Sequence, residues 1–143
     1  MEVKVYKCGE IDASRLDFAV ISAVYKGKWV FVRHNARDTW EIPGGHRELN
    51  EDINITASRE LYEETGALNY EIEPICDYSV IRGKVASFGR LFFAIITELG
   101  QLPESEIKEV KLMKAMPDNL TYPHIQPQLY SQGLSFLQKK LLK

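Results

Sequence analysis

The stretch GHRELNEDINITASRELYEETGA, residues 45–67, decides how the rest of the chain is read. Between Asn54 and Thr65 it holds no Gly or Pro. Ile53, Ala57 and Leu61 recur every four residues, which predicts a helix with one apolar stripe. Gly66 follows as a stop signal. With Glu60 at zero on a helical wheel, Glu63 and Glu64 fall within about 60° of it. Ala57 and Leu61 lie just beside them, so the acids border the packed stripe and are expected to face a crevice. Like charges at this spacing repel by about 0.2–0.5 kcal/mol per pair. The relieving cation is scarce: from Glu48 to Lys84 the basic residues are Arg59, Arg82 and Lys84. Two readings follow, a solvated acidic face or a face that binds a divalent cation. An all-carboxylate set without Cys or paired His suits a hard ion such as Mg²⁺ or Mn²⁺ rather than structural zinc. His46 reads as a loop side chain.

Outward from the helix the chain reads as strands. VKVYKC (3–8) alternates polar and apolar residues. DFAVISAVY (17–25), the turn signal KGK and WVFVRH (29–34) predict a hairpin. WEIPGG (40–45) reads as a short strand stopped by Pro43 and two glycines. Beyond the helix, 70–83 and 87–99 read as two strands joined near Gly83 and Lys84, and GQLPESEIKE (100–109) as a polar loop. VKLMKAM (110–116) reads as an edge strand. PDNLTYPHIQP (117–127) is punctuated by three prolines. The tail 127–143 reads as a second helix, with Leu129, Phe136, Leu137 and Leu141 as core candidates and Gly133 weakening it. Strands, a helix, more strands and a terminal helix predict a mixed sheet flanked by helices, an α/β (α+β) fold.

The bulk properties agree. A chain of 143 residues suits one domain around one core. The formal charge of −2 demands no duplex nucleic-acid partner, though it leaves room for a small anionic substrate. Cys8 and Cys76 form no CxxC pair and read as reduced small hydrophobes, so a cytoplasmic setting is expected. The longest apolar run, LFFAII (91–96), is too short to span a bilayer, and no membrane partner is expected.

The wider spacing is the most specific feature. Gly45, five residues, Glu51, seven residues, Arg59-Glu60-Leu61, one residue, Glu63-Glu64, one residue, Gly66 resembles the signature of the Nudix hydrolases. Ala67, in the final aliphatic slot, is a mild departure. The resemblance implies an α/β/α sandwich with a mixed β-sheet between helices. It also implies Mg²⁺-dependent hydrolysis of a nucleoside diphosphate linked to a further group. Glu60, Glu63 and Glu64, with the Gly45 carbonyl, would then ligate Mg²⁺, Mn²⁺ being a substitute. Arg59 and Glu51 would support them as a pair. Glu60 or Glu64 could take a proton from the attacking water. Some members use an acid from a later loop, for which Glu109 is the first candidate here and Glu106 the second.

Substrate contacts are expected elsewhere. Arg33, at a strand end, could meet a phosphate. Trp40 could stack on a base or belong to the core. His124 and Gln126 lie where related members place base-reading residues. The marks of members acting on ADP-ribose, dinucleoside polyphosphates, NADH or coenzyme A are absent. By elimination the chain resembles MutT-type nucleoside triphosphate diphosphatases, some of which act on oxidised purines such as 8-oxo-dGTP. Two other readings stand beside it. One is removal of diphosphate from an RNA 5′ end, for which Arg82 and Lys84 are hints. The other is a non-catalytic nucleotide-sensing module. Oligomeric state is left open.

Overall fold

The computed structural model describes residues 1–142. Lys143, the last residue of the stretch read as a second helix, lies outside them. Seven strands form one sheet: β1 (Glu2–Tyr6), β2 (Phe18–Tyr25), β3 (Lys28–His34), β4 (Gly44–His46), β5 (Ala67–Arg82), β6 (Val85–Leu99) and β7 (Ile107–Met113). The order is β1-β5-β6-β2-β3-β7, with β4 beside β2. The β2–β6 pair is parallel and the others are antiparallel, so the sheet is mixed as expected. Helix α1 (Ile53–Thr65) covers one face and α2 (Gln126–Leu141) the other.

Alternation along the strands builds both cores. Ala19, Ile21 and Ala23 of β2, Val30 of β3, and Phe92, Ala94 and Ile96 of β6 meet Ile53, Ala57 and Leu61 of α1. Val24, Trp29, Phe31, Leu91 and Phe93 meet Leu129 of α2, with Phe136 and Leu137 packed against them. Leu141 does not join: it is 75% exposed in the last turn of α2, past the edge of the sheet. Gly133 proves to be a packing residue. A Cβ there would fall onto the Ser22 side chain, so α2 lies this close to β2 because position 133 has none.

The short strand sits later than its sequence predicts. Glu41 bridges Val32 of β3, and the ladder with β2 starts only at Gly44. Pro43 stands between them and has no N–H to donate, while its carbonyl accepts from Ile21 N–H at 2.8 Å. β3 pairs with β2 at only two positions, Val24 with Trp29 and Tyr25 with Lys28. Segment 41–46 fills the gap where the two strands diverge, and the candidate site opens there. No helix among the described residues is long and apolar enough to cross a membrane.

Candidate active site

Helix α1 is fixed at both ends. The Asp52 carboxylate accepts from Asn54 N–H at 2.8 Å, and Gly66, at φ 81°, returns its N–H to Tyr62 O. With Ile53, Ala57 and Leu61 buried, Glu60 and Glu64 are carried to the edge of the packed stripe, against Gly44 and Gly45. Glu64 is 9% exposed and accepts from Gly44 N–H at 2.9 Å. The Glu60 carboxylate lies so close to Gly45 that a methyl group there would overlap it. Glu63 points outward at the rim, its side chain 45% exposed.

Arg59 serves this whole acidic group. Its guanidinium donates to Glu51 at 2.8 and 2.9 Å, Glu60 at 2.8 Å, Glu63 at 3.2 Å and the His46 carbonyl at 3.0 Å. Glu48 stands 3.6 Å away. Glu51 also accepts from Thr56 Oγ1 and Glu48 N–H. The Arg59 contact, aided by those bonds, holds the Glu51 carboxyl down at about 2. Contact with Glu51 likewise raises Arg59. Burial raises Glu60 against the opposing pull of Arg59. Burial pushes Glu64 up to about 8; the Gly44 N–H opposes this, and the charges of Glu60, Glu41 and Glu63 add to it.

Glu60 and Glu64 open onto a cleft of about 770 Å³. One wall is apolar, from Val20, Ile42, Tyr78, Val80, Ile125 and Leu129. The other carries His34, Arg37, Glu41 and Glu106. His34 is ringed by acids: Nε2 lies 3.5 Å from Glu41 and 3.8 Å from Glu64, and Nδ1 lies 3.8 Å from Glu106. Gln126, 5% exposed, sits at the start of α2. Its Oε1 is the one buried side-chain polar atom without a partner among the described residues.

The structure gathers some of the residues singled out from the sequence and separates others. Gly45, Arg59, Glu60, Glu64, Glu106 and Gln126 line the cleft; Arg33, Trp40, Glu109 and His124 do not. Arg33 and Glu109 pair with one another at 3.1 Å on the opposite face of β3. The preference between the two loop acids is thereby reversed, Glu106 being the one on the cleft. Trp40 packs partly against the α2-side core, and His124 is exposed. His46, in β4 rather than a loop, stacks on Phe18 with ring centres 4.6 Å apart. His34, Arg37, Glu41 and Tyr122 were missed. For His34 a signal existed: it is one residue past Arg33, and strand alternation puts neighbours on opposite faces.

Among the described residues no three His, Cys, Asp or Glu side chains are grouped as a ready chelate. The Arg59 guanidinium occupies the place between Glu60 and Glu63. The donor set still fits a hard divalent ion. Two largely desolvated carboxylates face backbone at a cradle that only glycine leaves open, and the deeper one has no cation of its own.

Residues 15–124 match the NUDIX domain family model. Over 98 residues the chain is 33% identical to the Bacillus subtilis (strain 168) protein named "Putative 8-oxo-dGTP diphosphatase YtkD". That stretch is 68% of this chain and spans 61% of the relative's length. Among solved structures, the B. subtilis pyrophosphohydrolase BsRppH, in a mutant form, superposes with TM-score 0.75 at 25% identity, over 97% of this chain and 89% of that one. The NUDIX domain of Shewanella oneidensis NrtR, complexed with ADP ribose, gives TM-score 0.68 at 21% identity, over 92% and 94%, and speaks for the fold. With glycine, carboxylates and arginine standing together at the head of α1, and the family model matching most of the chain, the protein belongs to the Nudix domain family.

Proposed function

We propose that the chain is a hydrolase of nucleoside diphosphate derivatives, and that its substrate is a nucleoside triphosphate cleaved to monophosphate and diphosphate. The observation that carries this reading is Glu64. A nearly buried carboxylate, hydrogen-bonded to Gly44 N–H and facing a cleft, lacks the cation its ionised form needs. A divalent ion, Mg²⁺ or Mn²⁺, would be held by Glu60, Glu63, Glu64 and the Gly45 carbonyl. When bound, such an ion supplies Lewis acidity and neutralises phosphate charge. Arg59, clamped by Glu51, orients Glu60 and keeps it ionised. Glu64 or Glu106 takes the proton of the attacking water, Glu106 replacing Glu109 in that role because it borders the cleft. Gln126 meets the base, since its unpartnered carbonyl oxygen calls for an N–H donor.

The name of the B. subtilis relative supports an oxidised purine as substrate. A second reading, removal of diphosphate from an RNA 5′ end, is favoured by Arg82. This residue lines the cleft at the tip of the β5–β6 hairpin and makes no ion pair. A panel of canonical and oxidised nucleoside triphosphates, ADP-ribose, nucleotide sugars and a 5′-triphosphorylated oligonucleotide, assayed with Mg²⁺ and product identification, separates the readings. Nucleoside triphosphates are expected to turn over fastest, giving diphosphate, and a chelator to abolish turnover. Preference for the oligonucleotide would transfer the assignment to the second reading.

A further inference from the structure

The outer lip of the cleft is built from two loops that act as one. Trp40 N–H donates to Asn119 O at 2.9 Å and Thr121 N–H to Trp40 O at 3.0 Å, which zips segment 35–41 to segment 117–125. Two side chains stand at the edge of this lip, Arg37 and Tyr122, and both border the cleft. Their backbones are pinned. Arg37 N–H donates to His34 O at 3.0 Å, and Arg37 O accepts from the Arg33 guanidinium at 3.1 Å. Tyr122 O accepts from Ile125 N–H at 3.1 Å and Gln126 N–H at 3.0 Å.

The side chains are tied to each other rather than to a core. Arg37 Nη1 donates to Glu41 Oε2 at 2.9 Å and to the Tyr122 hydroxyl at 3.3 Å. The guanidinium carbon lies 5.7 Å from the ring centre. Tyr122 remains 39% exposed. An aromatic ring held in place by polar tethers, with its face uncovered, is a platform in want of a flat partner. A cation beside the ring adds to that attraction. Further in, and four residues on, Gln126 presents its unpartnered oxygen within the same cleft.

We propose that Arg37 and Tyr122 form a clamp at the cleft mouth on which the substrate's base stacks, Tyr122 supplying the ring face and Arg37 acting as the residue that positions it. The proposal rests on the nucleotide reading above and deepens it. The site then requires a nucleobase, and a bare phosphate chain or a sugar phosphate leaves the platform unused.

The test is calorimetric binding, with Mg²⁺ present, of an α,β-methylene purine nucleoside triphosphate and of inorganic tripolyphosphate. Tyr122→Leu is expected to weaken the nucleotide about tenfold and tripolyphosphate by no more than about twofold. Tyr122→Phe, which keeps the ring, stays within about threefold for the nucleotide. Arg37→Gln weakens the nucleotide in the parent but adds nothing in the Tyr122→Leu background, because the two act as a unit. Arg37→Lys recovers part of the loss. Equal loss for both ligands in Tyr122→Leu, unchanged nucleotide affinity, or additive effects of the two substitutions would overturn the clamp. So would failure of the parent protein to bind the nucleotide. Tight, Tyr122-dependent binding with no hydrolysis of any nucleotide would leave the clamp standing and remove the hydrolase reading.

Discussion

Arg59 is the residue on which the acidic face of α1 depends. It reaches Glu51, Glu60 and Glu63 at hydrogen-bond distance and is only partly exposed. The pairing with Glu51 has a pH signature whose sign is fixed. The Glu51 carboxyl is depressed from an ordinary 4.5 to about 2. Its stabilising effect is therefore complete above about pH 4.5 and is withdrawn as pH falls towards 2. Thermal melts between pH 6 and 2 should show Glu51→Gln less stable near neutrality and less sensitive to acid than the parent. Parallel curves would mean that the pair contributes nothing. At this scale the sequence was informative within the spaced motif and failed just outside it. Spacing placed Gly45, Arg59, Glu60 and Glu64 correctly because a helix fixes the directions of its side chains. It chose Arg33 over His34 and Glu109 over Glu106 because strand alternation turns an error of one residue into the opposite face. The register change between Arg33 and His34, where Glu109 is followed in the pairing by Ile107, compounds this.

Among the elements, α2 and β4 show how close approach is written into single positions. Ser22 lies against α2 at Gly133. Gly133→Ala should therefore destabilise the fold by about 1–3 kcal/mol through overpacking, although alanine favours a helix. Denaturant unfolding measures this, and a gain in stability would show that α2 can retreat at no cost. Gly45→Ala acts on the site instead. The added methyl would displace the Glu60 carboxylate, and turnover should fall by about tenfold or more with the melting temperature nearly held. Helix propensity alone misread Gly133 as a weakness, since it ignores what lies across the interface. The short strand was read at 40–45 and stands at Gly44–His46 because Pro43 divides the segment between two partners. No local pattern announces that β2 and β3 will diverge.

Across the whole molecule, function follows from that divergence. A seven-stranded mixed sheet is covered by α1 on one face and α2 on the other, and segment 41–46 fills the fork between β2 and β3. The cleft at the fork meets the acids of α1 and the start of α2, so one opening combines a charged centre with an apolar wall. The order of elements was legible because each has its own hydrophobic period. The fork and the lip of loops 35–41 and 117–125 depend on long-range backbone bonds that leave no trace in composition. The central claim is that Glu64 makes this cleft hydrolytic. Its most direct measurement is the rate of diphosphate release from a nucleoside triphosphate in Mg²⁺, parent against Glu64→Gln, with both proteins shown to melt as folded domains. The account predicts a loss of at least about a hundredfold; equal rates in the two proteins would contradict it.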